Sequence, residues 1–187
     1  MRRILSLILI IAGIIMCSIT LYPLLEINKG ISDGITEWEE IKNNQSDEDS
    51  ASGVVITDDL IGVLTINDSK DPIPIRKGIT KDILKKGIGL DETTDEIGKG
   101  SSVLFGHREG VLWDLKDIKL GDIIEIETIS ASYKFSINEI KVVNPNDSFI
   151  YDSSSDQGSC ITLVTCYPFV YMGPTPERFV VKAHLIK

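Results

Sequence analysis

Three side chains have the types and placement that acyl transfer needs: a thiol, an imidazole and a guanidinium, at Cys166, His107 and Arg178. Cys166 closes Ile161-Thr162-Leu163-Val164-Thr165-Cys166, a β-branched run that predicts a strand. Pro168 follows and cannot donate to a sheet ladder, so the strand must stop at or just past the cysteine, leaving the thiol at a strand exit. Arg178 opens a second apolar run, Phe179 to Ile186, and Gly173-Pro174-Thr175-Pro176 between the two reads as a loop. If the two strands are neighbours, sulfur and guanidinium face one pocket. A nucleophilic thiol also needs a proton carrier. His107 follows the short apolar run Ser102 to Gly106 and enters the polar turn Arg108-Glu109-Gly110. His184 lies within the last strand, about 20 Å from Arg178 at the rise of an extended chain. His107 is therefore the better partner. In such a site the thiolate attacks a carbonyl carbon, the imidazole moves the proton and the guanidinium steadies the oxyanion. A nearby imidazolium and guanidinium favour a thiolate while burial opposes it, and the residue types alone do not decide between them.

The order His107, Cys166, Arg178, with the local forms Thr-Leu-Val-Thr-Cys and Glu-Arg-Phe-Val-Val, resembles the sortase family of cysteine transpeptidases over roughly Asp58 to Lys187. Tyr167-Pro168 after the cysteine looks most like class D sortases. Class C enzymes usually carry an Asp-Pro-aromatic lid ahead of the barrel. The one Asp-Pro here is Asp71-Pro72, followed by aliphatic Ile73 inside the domain, so no lid is expected. The resemblance implies a closed β-barrel of about eight strands in which Cys166 attacks the Thr–Gly carbonyl of a Leu-Pro-x-Thr-Gly-like sorting signal. The implied partners are surface proteins bearing such signals and an amine from cell-wall precursor or another protein. Val164, Thr165, Tyr167, Phe169 and Val170 are candidate substrate contacts by position.

The elements that must position these groups are short. From Leu60 onward, β-rich runs at Ile61–Ile66, Ile73–Ile75, Ser102–Phe105, Asp122–Thr128, Ser132–Val143, Ile161–Cys166 and Arg178–Ile186 predict an all-β domain, a sandwich or a barrel, with short helical turns at Lys81–Lys86 and Trp113–Lys116. In the last strand Phe179, Val181, Ala183 and Leu185 share a core face, which puts Arg178, Lys182 and His184 on the outer face, with His184 exposed. Arg108 and Glu109 read as a solvated turn. So does the acidic stretch 144–157 with Asp147, Asp152 and Asp156. In the resemblance this stretch corresponds to the loop that closes over substrate, and some relatives bind calcium near there, but its scattered acids do not make a calcium site. No metal or cofactor is expected.

Ahead of the domain, Ile4 to Leu25 carries no charged side chain, and as a helix its roughly 22 residues reach about 33 Å, enough for a bilayer core. Arg2 and Arg3 precede it, which predicts a cytoplasmic N-terminus and an extracellular domain at the cell membrane. The run is too long for the core of a cleaved signal peptide and lacks a small-x-small site, so residues 1–25 read as an uncleaved anchor. Residues 26–57 are polar and acidic and read as a tether, with a short helix around Ile35–Ile41. Residues 58–187 are the catalytic domain. A net charge of −9 argues against nucleic acid as a partner. Outside the membrane segment, Cys160 and Cys166 sit too far apart along one strand to pair, so both are free thiols, and Cys160 reads as a small buried residue. Unpaired extracellular thiols fit a single-membrane bacterial surface. Two other functions fit the same residues: a surface cysteine protease that delivers the acyl group to water, and a non-catalytic peptide-binding barrel.

Overall fold

The computed structural model describes residues 2–46, 59–69, 71–152, 158–171 and 173–186. Eight strands form it: β1 (Leu60–Ile66), β2 (Ile73–Lys77), β3 (Ile88–Leu90), β4 (Ser101–Phe105), β5 (Ile123–Thr128), β6 (Ser132–Val143), β7 (Cys160–Tyr167) and β8 (Glu177–Leu185). They close into a barrel in the order β1-β2-β3-β4-β7-β8-β6-β5, so of the two architectures open to the sequence the barrel is realised. Two pairs, β2 with β3 and β4 with β7, are parallel and the rest antiparallel. β3 escaped prediction because Ile-Gly-Leu is too short to show a period and glycine weakens a strand signal. The helical turns fall as α2 (Lys81–Leu84), capped by the Thr80 hydroxyl accepting from the Ile83 N–H, and a 3₁₀ turn at Trp113–Asp117.

Period-two alternation fills the barrel. Ile124 and Ile126 of β5, Ile161 and Leu163 of β7, and Val181 and Ala183 of β8 all point inward and are buried. Each fully buried aliphatic side chain contributes about 1.5–3 kcal/mol, so this interior dominates stability. The outer face of β4, β7 and β8 is covered too. Val103, Val164 and Val180 pack there with Val143 and Ile150, under the segment that leaves β6. The acidic stretch is thus no simple solvated loop. Ser148–Ile150 forms a 3₁₀ turn capped by Asp147, whose carboxylate accepts from the Phe149 N–H, while Tyr151 donates to Asp91 at 2.9 Å. Lys182, predicted to lie on the outer face, is buried there: its ammonium lies 4.0 Å from the Phe149 ring centre and donates to the Asp152 carbonyl. Asp156 lies outside the described residues. Parity gave the face correctly, but a strand pattern carries no information about a loop folding over it.

The region read as a tether is the second correction. Residues 26–46 continue one helix, α1 (Arg2–Ser46), which contains the predicted Ile35–Ile41 turn. The rest of that region, 47–58, lies outside the described residues. Gly34, Glu37, Trp38 and Ile41 recur at three- and four-residue spacing and so share one face. Trp38 and Ile41 bury against Leu60 and Val63 of β1. A Cβ at Gly34 would come within 2.8 Å of the Pro74 ring, so only glycine lets the helix lie this close to β2. Buried Arg76 reaches Glu37 of the helix and Asp59 at 2.7 Å each. The docking face is small, two apolar side chains beside a buried ion pair, so hydropathy did not reveal it. Ile4 to Leu25 falls in the first half of α1, where several side chains lie outside the described residues. Among the described residues, no helix is long and apolar enough to cross a membrane.

Candidate active site

The antiparallel ladder between β7 and β8 sets Cys166 directly opposite Arg178. Facing residues on paired antiparallel strands project from the same side, with Cβ atoms about 5 Å apart. Both belong to the outer face, in line with Val164 and Val180. Both are half-buried. On the other flank of β7 the parallel pairing with β4 ends at Phe105 opposite Val164. The Gly106 N–H donates to the Val164 carbonyl at 3.1 Å, and the Thr165 hydroxyl donates to the Gly106 carbonyl at 2.8 Å, which carries the contact one residue further. His107 therefore leaves β4 beside Cys166. Three adjacent strands, β4, β7 and β8, bring imidazole, thiol and guanidinium to one end of the barrel, with the cysteine central.

Local sequence accounts for each placement. Pro168 ends β7 just after Tyr167. Gly106 lets the chain turn tightly out of β4, because a Cβ there would sit 2.7 Å from the Leu112 side chain. Thr165 is buried, and its hydroxyl is spent on the Gly106 carbonyl, so it braces the histidine segment rather than a ligand. Val164 is buried in the outer-face cluster. These two predicted contacts do not line an open groove. Tyr167 and Phe169 instead join Phe179 and Trp113 in a chain of rings with centroids 5.1 to 6.2 Å apart, which closes this end of the barrel. Val170 is fully out in solvent at the tip of the β7–β8 connection.

The guanidinium of Arg178 is oriented by its own loop: Nη1 donates to the Glu177 carbonyl at 2.9 Å and lies 3.4 Å from the Thr175 hydroxyl. His184, the other histidine, pairs with Cys160 at the far end of the β7–β8 ladder and is half-buried rather than exposed, its Nδ1 enclosed and without a hydrogen-bond partner among the described residues. Cys160 is a free, buried thiol.

Arg108 is the residue that sequence reading missed. It is 5% exposed, not part of a solvated turn. Its guanidinium donates to the Pro168 carbonyl at 2.5 Å, the Tyr171 carbonyl at 2.7 Å and the Glu109 carboxylate at 2.6 Å. Its position next to His107 was a usable signal, but nothing in Arg108-Glu109-Gly110 foretells two carbonyl acceptors some sixty residues away.

Around the acidic loop, Asp91 is buried, which pushes its carboxyl up, but hydrogen bonds from the Thr93 hydroxyl, the Thr93 N–H and Tyr151 outweigh that and hold its pKa below the ordinary value. Tyr151 is pushed up by burial and by its bond to Asp91. A cavity of about 600 Å³ opens between α1, the β1–β2 turn and the Glu109–Ile118 segment; its lining includes Asp71 and Trp113 but none of His107, Cys166 and Arg178.

A family model described as a sortase domain matches residues 64–186. Sortase D of Bacillus subtilis (strain 168) is 26% identical over 195 residues, covering 97% of this chain and 97% of that protein. Sortase A of Bacillus anthracis is 28% identical over 132 residues, 68% of this chain and 60% of that one. Among solved structures, a sortase D5 transpeptidase of Clostridium perfringens superposes with a TM-score of 0.63 at 26% identity, over 87% of this chain and 99% of the other.

Proposed function

The chain belongs to the sortase family of cysteine transpeptidases, and from that premise we propose that it is a membrane-anchored, class D-like enzyme using Cys166, His107 and Arg178 to join sorting-signal proteins to a cell-wall amine. The observation that carries the assignment of these residues is the register, with Cys166 opposite Arg178 on one flank and next to the strand that delivers His107 on the other.

In this reading Cys166 Sγ attacks the threonine carbonyl of a Leu-Pro-x-Thr-Gly-like signal. The carbonyl oxygen takes up negative charge, to which the Arg178 guanidinium donates. When the C–N bond breaks, His107 gives its proton to the departing glycine amine and a thioester remains on Cys166. An incoming primary amine attacks that thioester, passes a proton to His107, and the thiolate leaves as the new amide forms. Atoms and charge balance, and neither metal nor redox partner is needed. Class D character is supported by Tyr167-Pro168 and by the likeness to Sortase D along nearly the whole of both chains. Membrane anchoring is supported by the uncharged run Ile4–Leu25 behind Arg2 and Arg3.

Product analysis with a Leu-Pro-x-Thr-Gly peptide, with and without an added primary amine, tests the reading. A ligated product that grows at the expense of the free acid as amine is added is the expected result. Free acid alone at every amine concentration would make the enzyme a protease. Topology is tested separately, by adding protease to intact, wall-stripped cells: loss of the 58–187 domain is expected, and its protection would reverse the orientation.

A further inference from the structure

We propose that Arg108 is a positioning residue that clamps the β7–β8 connection to the histidine segment, so that His107, Cys166 and Arg178 move as one unit. The inference rests on the transpeptidase reading above and adds a residue to it.

Arg108 follows His107 directly, and its guanidinium reaches across to the chain just after Cys166, donating to the carbonyls of Pro168 and Tyr171. Those two acceptors lie three residues apart, and a planar fork of N–H groups can hold both at once. The side chain is almost wholly enclosed, so these bonds are shielded from water. Its charge is met by Glu109 through Nε. The connection held in this way runs on through Thr175 and Glu177, which are the groups that orient the Arg178 guanidinium. One arginine grips the start of the loop next to the nucleophile, and the second is aimed by its end. Thr165 ties the same segment to β7 from the other side, through the Gly106 carbonyl. The edge contact between Trp113 and Phe169 is a second, apolar link between the histidine segment and the β7–β8 connection, without the directed bonds of the clamp. A misplacement of about 1 Å is enough to cost on the order of 10²-fold in rate.

A lysine ammonium is a single point donor without the fixed fork by which Nη1 and Nη2 each hold one carbonyl, so Arg108→Lys keeps the charge and weakens the clamp. With the full chain, a sorting-signal peptide and an amine acceptor, Arg108→Lys should lower kcat about 10-fold or more, change KM little and leave the melting temperature near that of the parent. Coupling distinguishes positioning from general support: the Arg108→Lys/Arg178→Lys double variant should lose clearly less than the product of the two single losses, because the clamp acts in part through the group already lost. Multiplied losses would overturn the proposal, as would parental kcat in a folded Arg108→Lys. Should that variant not fold, inserting two glycines after Gly173, which is exposed with open space around it, lengthens the connection while leaving Arg108 in place. Lowered kcat is expected, and undiminished kcat would overturn transmission through the loop. Activity in Cys166→Ala under the same assay would instead remove the underlying transpeptidase reading.

Discussion

The β7–β8 ladder carries two cysteine pairs, one at each end, and only one of them has the makings of a catalytic site. At one end Cys166 faces Arg178 and at the other Cys160 faces His184. Residue type alone would favour the second, since thiol with imidazole is the commoner nucleophile and base. Environment reverses that. Cys160 is buried, with its own N–H bonded to the Gly100 carbonyl and the next residue of β8, Leu185, bonded to Ser159, so the sheet closes over it. Cys166 stands where Pro168 ends the strand, half-buried, with a loop on one side and the histidine segment on the other. A nucleophile needs a carbonyl to approach it, and only a strand exit provides the room. What separates the proposed nucleophile from the packing cysteine is where the ladder stops.

That contrast can be broken by mutation, and the largest effect should come from the thiols. Cys166→Ala should bring turnover of a sorting-signal peptide to background while Cys160→Ala keeps most of it, as measured by steady-state kinetics on both. Next come the histidines. His107→Ala should cost about 10²–10⁴ in kcat, the usual range for a lost acid–base group, and His184→Ala should leave kcat near that of the parent. Arg178→Lys should lose about 10²-fold, mainly in kcat, because a guanidinium donates two directed bonds to a developing oxyanion and an ammonium is less oriented. Combining it with His107→Ala should fall well short of the product of the two losses, since both act on one tetrahedral intermediate. Melting temperatures of the variants separate chemistry from unfolding.

Smaller effects belong to stability. Cys160→Ala removes a buried sulfur and should cost about 1 kcal/mol, read as a shift of a few degrees in melting temperature. Asp91, which holds Tyr151 and with it the loop over the outer face, has a folded pKa below its unfolded one. Its contribution is therefore complete above the unfolded value of about 3.8 and disappears as the pH falls through the lower folded value. Thermal unfolding of the parent and of Asp91→Asn should differ at neutral pH and converge as the pH falls through the lowered folded value. A gap that widened on acidification would mean the carboxylate is not what holds the loop.

Much of the placement of the proposed site was legible in the sequence because it lies on the regular part of the fold. Strand ends can be read from Pro168 and from the apolar runs, and register then follows from alternation, so His107, Cys166 and Arg178 needed only the correct neighbours. Arg108, Lys182 and the α1 docking face were not legible, for one shared physical reason. Each uses polar atoms to fix an element distant in sequence: Arg108 holds carbonyls of the β7–β8 connection, Lys182 a carbonyl of the acidic loop, and Glu37 the guanidinium of Arg76. Backbone carbonyls are present at every residue and carry no sequence signature, and a charged residue that will be buried looks the same in a sequence as one that will be solvated. Hydrophobic period reports which face is inside, and it is silent on what covers the outside. Val164 is the instructive case, a strand residue offered as a substrate contact by its position yet sealed under Ile150 and Val143 rather than open to a ligand.

The central claim is that the peptide's acyl group is transferred to Cys166 and to no other thiol. Rapid acid quench of the full chain with a Leu-Pro-x-Thr-Gly peptide, without amine, followed by digestion and mass measurement of the cysteine-containing fragments, tests it directly. The account predicts a thioester bearing the peptide up to its threonine on the Cys166 fragment, discharged by added amine as the ligated product appears. An adduct on Cys160, or turnover with no adduct and undiminished by Cys166→Ala, would contradict it.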